Sequence, residues 1–316
     1  METMNTPLLD APDGTPVSRF AFGTMQFGGR ADALQSEAMY NNARAAGITH
    51  FDTAYVYTDG ASEEMLGRMI AAEREQLLIA TKVGYSGGAG AANLRAQFEQ
   101  SRKRLDLDMV DVLYLHRFDP DTELGETMDF FAEARMAGQI RYVGLSNFAA
   151  WQAMKAQAEA QARGFQIAIM QPMYNLVKRQ AEVEILPMCA DQGIAVAPYS
   201  PLGGGLLTGK YAKGGAGRLS EDDRYATRYG EQWMKEAARG LAQMAEELDT
   251  DPATLAVAWV ASAPWRPTPI VSARSAEQLA PSLSALDFEM SDDLRARISA
   301  LGRTPPPATD RLEEGS

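Results

Sequence analysis

Four side chains in this sequence are of types that together deliver a proton to an oxygen gaining negative charge: Asp52, Tyr57, Lys82 and His116. A phenol titrates near ~10 in water, so a tyrosine that acts as an acid near neutrality needs a cation beside it. Lys82 would be that cation, Asp52 would hold it charged, and His116 would hydrogen-bond the substrate oxygen and orient it. Such a set suits a carbonyl whose carbon is attacked by hydride. Taken singly, each has a plainer reading: Lys82 as a solvated strand-end lysine, His116 as a core histidine bonded to a carbonyl, Tyr57 as an aromatic at a helix start. The second histidine, His50, lies inside a strand with no evident partner and reads as structural.

These residues need rigid elements to bring them together. The stretch Gly47-Ile48-Thr49-His50-Phe51-Asp52 reads as a short apolar strand that ends in a carboxylate, with Tyr57 five positions further on. Strand-like runs recur at Arg19 to Phe22, Leu77 to Ala80, Val110 to Leu115, Ile140 to Leu145, Ile167 to Met170, Ile194 to Pro198 and Pro269 to Val271, with amphipathic helical patterns between them. Eight strand and helix units whose strands are apolar without alternation predict an α/β fold, a (β/α)8 TIM barrel of parallel strands covered by helices. Asp-Gly at 13–14 predicts an N-terminal β-hairpin over Leu8 to Val17, and Ser291 to Leu301 an extra C-terminal helix. The expected organisation is one domain over residues 1–316, with a long loop at about 199–230 acting as a lid and a polar tail from about 303. The doubly wound alternative would want a Gly-x-Gly-x-x-Gly turn after the first strand, and Gly23 to Gly28 does not supply one.

Functional groups of such a barrel gather where strands end. Here those positions read Thr24, Asp52, Lys82, His116, Ser146 with Asn147, Gln171, Tyr199 and Ser272, all polar. The chain has 316 residues, 46% hydrophobic, and a formal net charge of -12. That surplus repels phosphate backbones and anionic membranes, so neither a nucleic acid nor a membrane is an expected partner. The single cysteine, Cys189, cannot form an intrachain disulfide and sits among helix-like apolar positions as a packing residue. No basic leader and no run of ~18 apolar residues occurs, and a cytoplasmic location is the expectation.

Five separated motifs carry a resemblance along nearly the whole chain. Gly-Ile-Thr-His-Phe-Asp-Thr-Ala-Tyr-Val-Tyr from Gly47, Ala80-Thr81-Lys82, Leu113-Tyr114-Leu115-His116, Gly144-Leu145-Ser146-Asn147-Phe148 and Gln171-Pro172-Met173-Tyr174-Asn175 are similar to the aldo-keto reductase family. The resemblance implies a catalytic tetrad of Asp52, Tyr57, Lys82 and His116, NADPH/NADP+ as cofactor, and a small-molecule carbonyl as substrate. Cofactor contacts would fall on Gly23, Thr24, Met25 and Asp52, with Ser146, Asn147 and Gln171 at the nicotinamide carboxamide and Tyr199 stacked on its ring. Ser200, Leu202, Gly204 and Lys210 lie in a segment resembling the family's pyrophosphate-covering loop. Ser272, Arg274 and Gln278 resemble the segment that binds the adenosine 2′-phosphate, and Arg274 there implies NADPH over NADH. Two departures stand out: Ser282 where the family often has Asn, and Ser at position 272 where it often has Gly.

Gly204, Gly209 and Lys210 also match part of a nucleotide-triphosphate loop, but Tyr211 stands where a metal-binding Ser or Thr would be needed. The pocket walls are expected from Met25, Gln26, Tyr55, Val56, the loop after Lys82, Arg117, Phe118 and the lid near Tyr225 to Tyr229, and the pocket is expected to be open and permissive. Arg117 would favour anionic substrates, or would pair with Asp119 or Asp121. Potassium-channel β subunits are similar to this family too, so an NADP(H)-binding regulatory protein is the alternative to a reductase. Oligomeric state is not readable.

Overall fold

A computed structural model describes residues 9–211, 215, 217–311 and 313. Among them, eight parallel strands alternate with helices. The first half runs β1 (Ala21–Gly23), α1 (Ala33–Ala45), β2 (His50–Asp52), α2 (Ala61–Ile70), β3 (Leu78–Val83), α3 (Ala91–Leu105), β4 (Val110–Leu115) and α4 (Leu124–Met136). The second runs β5 (Ile140–Ser146), α5 (Ala150–Ala162), β6 (Ile167–Gln171), α6 (Ile185–Gln192) and β7 (Ala195–Val196). Helices α7 (Arg218–Glu221), α8 (Asp223–Tyr229), α9 (Gln232–Glu247) and α10 (Pro252–Ala261) precede β8 (Ile270–Val271), α11 (Ala276–Ser284) and α12 (Asp292–Ser299).

The strands follow one another around the sheet in the order β7-β6-β5-β4-β3-β2-β1-β8. The outer two then meet, because the Thr268 amide donates to the Val196 carbonyl at 2.8 Å and that of Ile270 to Pro198 at 2.9 Å. The sheet is therefore curled into a barrel. Side chains alternate across each strand. Phe22, Phe51, Ile79 and Leu113 point out into the large core beneath the helices, whereas Ala21, Leu78, Ala80, Val112, Tyr114 and Ile169 fill the interior. The interior is tight enough to require glycine at 144, where a Cβ would lie 2.4 Å from the Tyr114 ring.

The end of the barrel where the strands begin is closed by Leu9 and an ion network. Leu9 packs into the interior cluster, and its segment turns back with Asp10 bridged to Pro16 in antiparallel fashion; Leu8, where the expected hairpin begins, lies outside the described residues. Asp111 is fully buried, contacts Arg74 at 2.8 Å and Arg141 at 3.2 Å, and accepts the Ile79 amide at 2.8 Å. Arg141 continues to Asp10.

The strand limits differ from the sequence expectation in one useful way. β3 runs to Val83, so Lys82 lies inside a strand and in phase with Leu78 and Ala80. The long loop between β7 and β8 holds helices α7 and α8, which no apolar periodicity announces. α10 is buried on nearly every side, and such a helix carries no amphipathic signal. No described helix is long and apolar enough to cross a membrane.

Candidate active site

Period-two phasing puts the ionisable groups on the inward face of the barrel near its C-terminal rim. Lys82 follows Leu78 and Ala80 on β3, Asp52 follows His50 on β2, and Gln171 follows Ile169 on β6. Lys82 is wholly buried, and an unpaired buried ammonium would cost several kcal/mol. Its Nζ lies 2.5 Å from Asp52 Oδ1, 2.7 Å from the Thr53 carbonyl and 3.3 Å from the Tyr57 hydroxyl. Burial alone would push Lys82 down, but Asp52 and Tyr57 more than reverse this and hold its ammonium above the ordinary lysine range. Burial pushes Asp52 up, opposed by Lys82 and by a hydrogen bond from Gln171 Nε2 to Oδ2 at 2.8 Å. With both oxygens engaged by donors, the pair is best described as ammonium and carboxylate.

Behind Asp52, hydroxyl groups tie the first two strand ends together. Thr24 donates its amide to the Asp52 carbonyl at 2.9 Å, and the hydroxyls of Thr24 and Thr53 both meet Ser62, at 2.8 and 2.9 Å.

Tyr57 sits in a short helical turn, and Thr58, Asp59 and Gly60 after it are all left-handed, with φ of 48, 55 and 99°. Such a backbone is strained for Thr and Asp and persists only where its surroundings enforce it. Here Thr58 donates its hydroxyl to the Phe27 carbonyl at 2.8 Å. Arg104, reaching over from α3, donates to the Tyr55 carbonyl at 2.9 Å and contacts the buried Glu63 at 3.3 Å. Glu63 in turn accepts the Thr81 hydroxyl at 2.6 Å. A Cβ at Gly60 would lie 2.4 Å from the Arg104 guanidinium, so glycine is needed there on both counts. Arg104 and Glu63 escape sequence reasoning because they lie on helices remote from the strand ends.

At the phenol, burial outweighs the neighbouring cation. Burial raises the Tyr57 pKa, and the nearby Lys82 charge offsets that only in part. The net direction is upward, so the tyrosine stays protonated and is an acid rather than a standing phenolate.

His116 follows β4, its ring centroid 6.1 Å from that of Tyr57 and edge-on to it. Burial, with the charges of Lys82 and Arg117, brings its pKa down to about 3. His50, fully buried with neither ring nitrogen partnered, is likewise brought down to about 3, by burial and then Lys82. Both are neutral when folded, against a usual 6.5. As pH falls from 6.5 toward 3, the unfolded chain gains protons that the folded one refuses, so stability present above 6.5 is progressively lost. Urea unfolding at a series of pH values should show this acid-side loss, and His50→Leu should reduce its slope by about 1.4 kcal/mol per pH unit, one proton's worth. An unchanged slope would mean that His50 titrates normally when folded.

The remaining expected site residues divide between those at the strand ends and those in the segments after β7 and β8. Gly23 ends β1, and Met25 is partly exposed in the turn beyond it. Ser146 donates to the Gln171 carbonyl at 3.1 Å. Asn147, left-handed at φ 59°, donates to the His116 carbonyl at 2.9 Å and accepts the Tyr199 hydroxyl at 2.7 Å. Ser200, Leu202 and Gly204 form the start of the loop after β7, with Ser200 and Gly204 left-handed at φ 58 and 65°. A Cβ on the next residue, Gly205, would crowd Lys210 Nζ at 3.2 Å.

Beyond that loop, Glu221 of α7 accepts from Arg274 at 2.8 Å and from Arg30 at 2.9 Å. The Arg274 hydrogen bond, with the charges of Arg30 and Lys210, holds Glu221 below the usual carboxylate range. Arg274, Arg30 and Lys210 thus all act on Glu221, and Arg30 acts on the neighbouring Asp222 as well. Ser272 and Ser282 have buried hydroxyls without hydrogen-bond partners, and Gln278 is exposed on α11. Arginine guanidinium groups and unpartnered hydroxyls are donors of the kind that fit a phosphate-rich cofactor. Arg30 and Glu221 were not foreseen; both carry ordinary surface residue types in loops or short helices.

Fold and site together define a parallel (β/α)8-barrel protein with a buried lysine–aspartate pair, a tyrosine and a neutral histidine at its C-terminal rim. Residues 19–303 match the model of the Aldo/keto reductase family, and the chain belongs to that family. It is 32% identical to the uncharacterized oxidoreductase YrpG of Bacillus subtilis (strain 168), over 92% of this chain and 96% of that protein. It is also 32% identical to a probable voltage-gated potassium channel subunit beta of Oryza sativa subsp. japonica, over 94% of this chain and 96% of the other. L-glyceraldehyde 3-phosphate reductase of Escherichia coli (strain K12) is 32% identical, over 82% of this chain and 81% of the other.

Proposed function

We propose that this protein is a single-domain NADPH-dependent reductase that converts aldehyde or ketone carbonyls to alcohols. The observation that carries the reading is the contact of Tyr57 with a lysine ammonium that is itself fixed by Asp52. Bound NADPH would supply the hydride. Tyr57, protonated at neutral pH, hands its proton to the carbonyl oxygen as charge develops there, and Lys82 stabilises the phenolate left behind. His116, neutral, orients that oxygen by hydrogen bonding. Ser146, Asn147 and Gln171 would hold the carboxamide, Tyr199 the ring, and Lys210, Arg30 and Arg274 the phosphates.

The test is NADPH oxidation followed with a panel of aldehydes, alongside NADPH and NADH affinities for wild type and Arg274→Ala. Wild type is expected to turn over aldehydes, and Arg274→Ala to weaken NADPH by roughly tenfold or more while changing NADH little, since a charged hydrogen bond contributes about 1.5–3 kcal/mol. Similarity to a named potassium channel subunit beta gives the second reading, a cofactor-binding regulator. Tight NADPH binding with no turnover of any carbonyl would favour it.

A further inference from the structure

Arg117 lies next to His116, where its charge helps keep the imidazole neutral, and the reaction just described gives it no contact with the substrate. Its guanidinium carbon is 5.0 Å from the centroid of the Tyr85 ring, and that ring is 4.9 Å from His116. Tyr85 is 43% exposed, so Arg117 stands at the open side of the catalytic groups. Asp119 and Asp121 are the carboxylates nearest in sequence, and no described carboxylate lies within ion-pair distance of Arg117. Asp119 feels the Arg117 charge, but its oxygens are taken up by the Ala89 amide at 2.8 Å, the Thr122 hydroxyl at 2.7 Å and the Asp121 amide at 3.1 Å.

A second arginine approaches from the lid. Arg228 of α8 lies 5.3 Å from the Tyr225 ring centroid and has no described carboxylate partner. The Tyr225 ring packs on Gly204, and the Arg228 charge reaches Tyr199. In a chain of net charge -12, two arginines near the catalytic groups are held by aromatic rings, with no described carboxylate within ion-pair distance of either. Guanidinium presents a planar fork of donors that matches an oxoanion.

We infer that Arg117, assisted by Arg228, forms an oxoanion subsite and that the preferred substrates are aldehydes bearing a carboxylate or a phosphate. This rests on the reductase reading and names its substrate class. Arg117 is a specificity-determining residue; it takes no part in the proton transfer.

The experiment compares para-carboxybenzaldehyde with its methyl ester, and glycolaldehyde phosphate with glycolaldehyde, in wild type, Arg117→Gln, Arg117→Lys and Arg117→Gln with Arg228→Gln. Wild type should favour the anionic member of at least one pair by roughly ten- to hundredfold in kcat/KM, the scale of one charged hydrogen bond. Whichever pair shows it distinguishes carboxylate from phosphate. In Arg117→Gln that ratio should fall toward one, mainly through KM, with partial recovery in Arg117→Lys. Equal kcat/KM within both pairs in wild type, or a preference that survives the double substitution, would overturn the subsite. Absence of all turnover would sink the reductase reading alone. Calorimetry of para-carboxybenzyl alcohol with the protein and its cofactor then decides the subsite: tenfold weaker binding to Arg117→Gln upholds it, and no binding or equal binding overturns it.

Discussion

Tyr57→Phe is expected to lower kcat for aldehyde reduction by roughly 10²–10⁴-fold, the usual range for removal of a positioned general acid, with little change in NADPH affinity or folding stability. The hydroxyl makes one described hydrogen bond, the 3.3 Å contact with Lys82, and Lys82 keeps Asp52 and the Thr53 carbonyl without it. Loss of the phenol oxygen therefore removes the acid and leaves its support standing. Steady-state turnover, cofactor titration and urea unfolding of the one variant separate these effects. Turnover close to wild type would show that the proton comes from elsewhere and that the tyrosine is a packing residue.

Lys82→Met should be harsher because it damages both chemistry and structure. It removes the cation that stabilises phenolate and also leaves the Asp52 carboxylate buried with only Gln171 as a side-chain donor. Breaking such a pair costs about 3–5 kcal/mol, a large share of the stability of an ordinary domain. Asp52→Asn combined with Lys82→Met should recover part of that loss without restoring turnover, since it removes the stranded charge but not the missing cation. Chemical unfolding of the two variants measures this. If Lys82→Met is as stable as wild type, the pair contributes nothing net to folding.

The strand periodicity made much of this arrangement legible. Asp52, Lys82 and Gln171 fall two residues beyond His50, Ala80 and Ile169, so the alternation that buries apolar side chains in the barrel also carries these polar ones inward. Ser146, Asn147 and Tyr199 were visible as polar strand ends. The direction of the Tyr57 shift was not, because it depends on burial outweighing a nearby charge, and burial is a property of the assembled site. Arg104 and Glu63 stayed hidden for a related reason: their partners are a backbone carbonyl and a threonine on other elements. Helices α7 and α8 are too short to display a period, and Glu221 gains its meaning only from Arg30 and Arg274, remote in sequence.

Asp111, Arg74, Arg141 and Asp10 seal the end of the barrel opposite the catalytic groups. The residues that hold the scaffold shut and those proposed to choose a substrate are therefore different sets at different ends of the molecule. For laboratory evolution, this suggests confining diversity to 85, 117–118 and 224–228, sparing the left-handed Gly87 and Gly88 and the buried Ala89, and leaving the sealed end untouched. Substrate range could then drift through many generations of variants with little erosion of the fold.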